Sequence, residues 1–461
     1  MKHALLLFFL TFGLLAFGQI SPVKTERLKV SANHRYLVTE SGHPFFWLGD
    51  TGWELFHRLN YADAKKYLSK RAEQGFTVIQ AVVLAEFDGL HVPNANGHLP
   101  LANDDPTRPV ESYFRFVDSV IDLAQGLGIY IALLPTWGDK VYKDKWGTGP
   151  EIFNTDNAKV YGQWIGNRYK DRSNIIWVMG GDRNPRNESD IQIWRSLAAG
   201  VVAGCGGQDR ALMTFHPQPS ETSSSSPWFH EDDWLDFNML QTGHCADVPV
   251  WEKIKHDYDK KTVKPVLNGE AVYEEHPLCF NAKDNGYTSA YDSRKAAWLS
   301  VFAGSMGYTY GCHSIWQFYT PGRIAVNGPL RFWYVSMELP AASQMHYLKN
   351  LIQKFPAADR RPAQDVIVDA NEGTRRIQAI GGKDFLLVYS AAGESFAMNL
   401  KKFQTKTFKA FWYDPRTGAK FLIPAVNNTG IKSFRPPSKG ADNDWVLVLF
   451  DATKKYISSE P

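Results

Sequence analysis

Two carboxylates stand out by the residues that precede them. Asp182 closes the stretch Asn174 to Asp182, NIIWVMGGD, and Glu270 closes the stretch Lys264 to Glu270, KPVLNGE. Each follows a short apolar run of the kind that forms a strand buried on both faces. Each is preceded by glycine, which lets the backbone turn tightly and approach a ligand closely. An ionisable group at the mouth of a buried strand is where parallel α/β folds carry their chemistry. Taken alone, Asp182 reads equally well as a helix cap or as the partner of Arg183 beside it. The second occurrence of the pattern, at Glu270, tilts the reading toward chemistry. Two opposed carboxyl groups can protonate a leaving oxygen from one side and attack, or activate water, from the other.

The elements that must position this pair follow a regular rhythm. Apolar strand-like runs fall at residues 44–50, 76–84, 128–136, 175–179, 212–215, 237–241, 264–270 and 307–311. Helical patterns alternate with them, the clearest being Glu111 to Leu127, where Tyr113, Phe116, Val117, Val120, Ile121 and Ala124 share one face. A long helical stretch from Trp333 to Phe355 closes the series. Eight strand–helix units predict an α/β fold, a (β/α)8 TIM barrel, with a hairpin before the first strand. Helix-to-strand links are terse, as in QGF at Gln74, whereas strand-to-helix links such as Asp88 to Val110 and Glu274 to Asp292 are long. Long loops on that side build the active face of such a barrel. An open doubly wound sheet would need a glycine-rich phosphate loop, and GDTG at Gly49 is a poor match. In the barrel, strands four and seven face each other across the mouth, which brings Asp182 opposite Glu270.

From about Asp359 the texture changes to short alternating strands, among them Asp365 to Val368, Phe385 to Tyr389, Lys420 to Ile423 and Trp445 to Phe450. Turn residues separate them, which predicts a small C-terminal antiparallel β-sandwich. The expected division is residues 1–18 as a signal peptide, 19–357 as the barrel and 358–461 as the sandwich. Lys2, the apolar run Leu5 to Phe17 and the small-x-small triplet Ala16-Phe17-Gly18 carry the leader reading. No cysteine follows that run, so no lipid anchor is expected, and the chain is expected to be periplasmic or secreted. No later run is long and apolar enough for a membrane span. The net charge of +3, or +2 without Lys2, is too weak to argue for nucleic acid or an anionic membrane. Cys205, Cys245, Cys279 and Cys312 are widely spread, and free buried thiols are preferred over one or two bridges, which export would permit.

The exclusions narrow the chemistry. Thirteen histidines show no HExxH-like spacing, so no metal is expected, and there is no GxSxG elbow for a serine esterase. Nothing points to a cofactor. A glycosidase needs the arrangement of two carboxylates, and the 15 tryptophans supply platforms for sugar rings. Other residues at strand ends are candidates for binding hydroxyls: Asp50, Glu86, Arg183, His216, His244 and His313, with Trp137 and Trp316 as stacking platforms. Asp50, Glu86, His216 and His244 read equally as ion pairs or caps. Thr222 to Ser226, TSSSS, reads as a flexible loop, with Trp228 and Trp234 beside it as further sugar contacts.

The chain resembles the apiosidase-like family of glycoside hydrolases. The resemblance runs from Leu28 to Phe355, through FFWLGDTGWELFHRL from Phe45, EQGFTVIQAVV from Glu73, NIIWVMGGDRNP from Asn174 and KPVLNGEAVYE from Lys264. The tail resembles the collagen-binding-type β-sandwich found after this barrel, most clearly at Trp412-Tyr413-Asp414-Pro415. The family resemblance implies Asp182 as acid/base and Glu270 as nucleophile of a retaining enzyme acting on apiose-bearing pectin side chains, and the chain is expected to be a monomer. The layout is similar to the large retaining clan of barrel glycosidases, with Gly181-Asp182 where that clan has Asn-Glu. Alternatives are another glycosidase, such as an arabinofuranosidase or glycanase, or a non-catalytic glycan- or collagen-binding protein.

Overall fold

The computed structural model describes residues 25–457. The expected leader lies outside them. Eight parallel strands form the barrel: β1 (Trp47–Thr51), β2 (Val78–Leu84), β3 (Tyr130–Thr136), β4 (Ile175–Gly180), β5 (Met213–His216), β6 (Asn238–Gln241), β7 (Val266–Glu270) and β8 (Gly307–Tyr310). Their order around the sheet is β5-β4-β3-β2-β1-β8-β7-β6. The seam between β5 and β6 is closed by Asp236 N–H to the Met213 carbonyl at 2.9 Å and by Thr214 Oγ1 to the Phe237 carbonyl at 2.6 Å.

Alternation along the strands explains why their sequences are apolar throughout. Ile176 and Val178 of β4 point into the barrel with Val82, Leu134, Met239 and Leu267. Trp177 and Met179 point outward, into the layer of helices. Each large side chain removed from water on either face contributes roughly 1.5–3 kcal/mol. The helix Glu111–Gly126 buries the face expected of it. Ahead of β1, residues 28–45 make a three-stranded antiparallel sheet.

The closing helical stretch is two helices, Trp333–Ser336 and Pro340–Ile352, rather than one. Pro340 cannot donate to a preceding turn, so it sits at the first position of a new helix and Leu339 is extended.

The tail contributes β9 (Arg361–Pro362), β10 (Ile377–Gly381), β11 (Phe385–Ser390), β12 (Phe396–Asn399), β13 (Thr407–Tyr413), β14 (Lys420–Asn427), β15 (Ile431–Phe434) and β16 (Trp445–Asp451). Six form an antiparallel sheet, β9-β10-β11-β16-β13-β14, and β12 pairs with β15 as a second sheet. The expected strand at Asp365 is a short 3-10 turn with a single bridge from Ile367 to Met398. The sandwich rests on the barrel helix Ala290–Phe302. Arg294 from that helix forks onto Asp444, at 2.9 and 2.6 Å, and Trp298 stacks on Tyr389 at 5.8 Å.

Three expectations are corrected in the loops. Cys245 and Cys279 form a disulfide, while Cys205 and Cys312 are free and buried. The loops after β6 and β7 bring the bridged pair together across 34 residues of sequence. The serine run is ordered rather than loose, because Ser224 and Ser226 both donate to the buried carboxylate of Asp257. Trp234 packs in the core and Trp228 against it, away from the barrel mouth.

Candidate active site

The carboxylate on β4 is aimed by its glycines. Gly180, Gly181 and Asp182 all have positive φ, at 84°, 122° and 53°. A Cβ on Gly180 would lie 2.3 Å from the His216 carbonyl oxygen, and one on Gly181 would lie 2.8 Å from the Gly138 nitrogen. Only glycine fits these two positions, and aspartate is among the few residues that tolerate the third. The turn presents the Asp182 N–H to His216 Nδ1 at 3.3 Å.

Glu270 is aimed by a bulge. The β6–β7 register shifts between Asn268 and Glu270, so the strand's alternation breaks just before the carboxylate. Such a shift re-aims a side chain at the end of a strand. Gly269 makes it possible, since a Cβ there would come within 2.5 Å of Met239. The buried Glu270 carboxylate is then met by two imidazoles. His216 Nε2 lies 3.0 Å from Oε2, and His244 Nε2 lies 3.2 Å from Oε1.

Both carboxyls open onto one cleft of about 600 Å³ at the C-terminal end of the barrel. The segments at or after all eight strand ends contribute to its lining, from Trp53 after β1 to Trp316, Val326 and Asn327 after β8. Its walls are aromatic: Trp53, Phe87, Trp137, Trp146, Tyr273, Phe280 and Trp316. Flat apolar walls around a few polar groups suit the apolar faces and the hydroxyls of a sugar.

The two carboxyls have opposite proton affinities. Burial, and then the negative charge of Glu270, push Asp182 up to about 6, against the pull of Arg183, His216 and the Trp146 N–H. Burial would also raise Glu270, but its contacts with His216 and His244 outweigh it and hold the carboxyl well below the ordinary range. One group therefore keeps a proton in weak acid while the other is ionised, as an acid and a nucleophile require.

The other expected residues divide into those in the cleft and those behind it. Glu86, His244, Trp137 and Trp316 line it. The Glu86 carboxyl is pushed well above its ordinary range by burial and then by the charge of Asp182. His216 lies beneath the lining, fully buried, with Trp53 edge-on at 5.1 Å and Trp137 at 6.2 Å. Asp50 is outside the cleft. It is buried against Arg71 Nε and the Tyr67 hydroxyl, both at 2.6 Å, which makes it part of the barrel wall. Arg183 sits behind the turn rather than in the cleft, donating to the carbonyls of Tyr142 and Asp182. His313 also lies behind the wall, 3.2 Å from the Asn327 carbonyl and edge-on to His276. Among the described residues, no group of three or more His, Cys, Asp or Glu is arranged to hold a metal ion.

Several cleft residues were not anticipated. Trp53 and Tyr273 stand three residues beyond Asp50 and Glu270, so their positions just past a strand end were available as a signal. Trp146, His276 and Phe280 lie deep in long loops without periodicity. Phe280 follows the bridged Cys279, and both have positive φ, 61° and 52°, so a folded-back loop places the ring edge-on to His276 at 4.8 Å.

A family model described as the apiosidase-like catalytic domain matches residues 31–359. The chain belongs to the apiosidase-like family. That family membership, with the site geometry, makes the protein a glycosidase. A second model, for a collagen-binding-type domain of a collagenase, matches residues 361–450. A solved glycoside hydrolase is 34% identical, with 95% of this chain and 99% of that chain covered and a TM-score of 0.86. A family 5 glycoside hydrolase from Bacteroides vulgatus is 33% identical, with 95% and 96% covered and a TM-score of 0.87. No curated protein matches the chain. No helix among the described residues is long and apolar enough to cross a membrane.

Proposed function

We propose that this apiosidase-like chain is a secreted, retaining apiosidase acting on apiose-bearing side chains of rhamnogalacturonan-II-type pectin. The observation that carries the reading is the split between two carboxyls in one cleft, Asp182 raised to about 6 and Glu270 held ionised. In the first step Asp182 gives its proton to the glycosidic oxygen as Glu270 attacks the anomeric carbon. The leaving sugar departs, and the glycone is held as an ester on Glu270. Esterification leaves burial but removes the Glu270 charge that also raised Asp182, so its carboxylate becomes the base that takes a proton from water. Water then displaces Glu270 and the configuration is retained. The furanose assignment rests on family membership and on Asp182 itself. Its side chain is one carbon shorter than the glutamate usual in related barrels, and Gly181 replaces the asparagine that commonly holds a pyranose 2-hydroxyl.

Product analysis on defined pectin oligosaccharides, with the anomer of the first product read by NMR, tests this. Release of free apiose with retained configuration is expected. Release of arabinose alone assigns the chain to a different glycosidase. An inverted first product removes the nucleophile role from Glu270.

A further inference from the structure

Trp146 lies in the loop after β3, on the segment KDKWGTGP that leads to the helix Thr155–Tyr169. The residue is 45% exposed, yet the one polar atom of its side chain is committed. The indole Nε1 donates to Asp182 Oδ2 at 2.9 Å. The ring also lies against the Arg183 guanidinium, 4.8 Å from centroid to Cζ, and Arg183 Nη1 is 3.5 Å from the same Oδ2. One hydrogen bond and one ion-pair contact thus converge on the same oxygen of the carboxyl. No hydrogen bond reaches Oδ1 among the described residues.

The loop is built to hold this contact. Asp139 Oδ2 takes the N–H groups of Thr148 and Gly149, at 3.1 and 2.9 Å, just past Trp146. Gly147 passes so close to its surroundings that a Cβ would meet Arg183 Nη2 at 2.7 Å and Asp139 Cβ at 2.8 Å. The neighbouring glycine and the buried Asp139 therefore set the height of the indole above Asp182.

We propose that Trp146 is a positioning residue for acid/base catalysis, its N–H holding Asp182 Oδ2 so that Oδ1 carries the proton delivered to the leaving oxygen. This rests on the reading of Asp182 as the acid. A donor fixed on Oδ2 favours negative charge there, so the proton of the neutral acid resides on Oδ1, the oxygen without a donor. On return, the same bond stabilises the carboxylate that takes a proton from water. The charged or titratable groups facing Asp182 are Glu270 from β7, Glu86 after β2, His216 from β5 and Arg183 beside it. The indole N–H acts in the same direction as Arg183 and His216, toward the charged form.

The test is Trp146→Phe, which keeps a ring and removes the donor. In protein labelled with carbon-13 at aspartate carboxyls, the Asp182 signal is identified by its loss in Asp182→Asn. Its titration midpoint should rise in Trp146→Phe, because a bond favouring the carboxylate is gone. The basic limb of kcat/KM should move up with it. On apiosyl pectin fragments kcat should fall about tenfold with little change in KM, since an aimed proton is lost and a sugar contact is not. An unmoved midpoint overturns the role of Trp146. A loss confined to KM overturns it also, making the ring a sugar platform only. The Asp182→Asn profile separates this from failure of the underlying reading: if it keeps the wild-type basic limb, Asp182 is not the acid, and the catalytic role of Trp146 falls with it.

Discussion

His216 Nε2 approaches Glu270 Oε2 to 3.0 Å, while Nδ1 of the same ring accepts the Asp182 N–H at 3.3 Å. One fully buried imidazole thus spans the two carboxylate-bearing strands. Because Nδ1 is an acceptor, the ring proton lies on Nε2 and faces the nucleophile candidate. Trp53 and Trp137 pack against the ring.

Replacing this ring with an apolar one should move the acid limb of activity. His216 is the largest influence holding Glu270 ionised against burial. In His216→Phe that influence is lost, so the Glu270 carboxyl rises toward or above its ordinary range. Activity should then fall as pH drops through weakly acid values, where the wild type is still active. With Glu270 as the proposed nucleophile, its misplacement should lower kcat about 100-fold at neutral pH. A pH–rate profile from pH 3 to 8 checks this, and an unmoved acid limb counts against the role of His216.

The split between the carboxyls also costs stability. Asp182 is raised to about 6 in the folded chain, against an ordinary value near 3.8, so the fold binds a proton that the unfolded chain has released. The contribution of this group to stability therefore declines as pH rises from about 4 to about 6, and is flat above. Asp182→Asn has no charge to bury. Its side chain is 19% exposed, so most of the penalty survives screening, and the variant should gain about 2–3 kcal/mol over wild type at pH 7.5. The gain should shrink to a few tenths at pH 4. Denaturant unfolding at the two pH values measures it, and an equal gain at both would show that charge is not its source.

The barrel was legible because its strands are buried on both faces, so short apolar runs mark them without reference to distant residues. The Asp182 and Glu270 stretches were readable for the same reason. What escaped depended on contacts far apart in sequence. Asp50 ends a strand as Asp182 does, and only the arrival of Arg71 from the next helix makes it a wall residue. The Cys245–Cys279 bridge joins loops whose paths no local pattern dictates. The serines near Asp257 look solvated until that carboxylate reaches them. Trp146 sits among lysines and glycines, a composition that says loop and nothing about where the indole points.

The sandwich should be coupled to the barrel through Arg294. Its guanidinium is buried and forks onto Asp444, which is also buried, while its contact to Asp442 ends on a carboxylate that is 65% exposed. Arg294→Met strands a buried charge and should cost about 3–5 kcal/mol. Asp442→Asn removes a screened partner and should cost about 1 kcal/mol or less. Chains cut at about Asp359 should lose solubility, because Trp298 and Phe302 would lose the cover of Tyr389. Thermal unfolding of the two point variants provides the comparison, and equal effects would place the coupling elsewhere.

The two carboxyls should fail in different ways. On the proposed assignment Glu270→Ala removes the group that bonds to the anomeric carbon, so turnover should vanish on every substrate, whatever its leaving group. On the same assignment Asp182→Ala removes the proton donor, and the need for that proton depends on the leaving group. With a pectin fragment, whose leaving alkoxide is strongly basic, the loss should be about 100- to 10,000-fold. With an activated aryl glycoside, whose phenolate leaves unaided, the first step should be nearly normal. Hydrolysis of the glycosyl-enzyme would then lag, because no base draws a proton from water, and the intermediate should accumulate as an early burst. Azide needs no such base. It should restore turnover in Asp182→Ala and yield a glycosyl azide of the same anomeric configuration as the substrate. If azide instead rescues Glu270→Ala to an azide of inverted configuration, that is the ordinary behaviour of a missing nucleophile and agrees with the assignment. An inverted azide from Asp182→Ala would exchange the roles of the two residues.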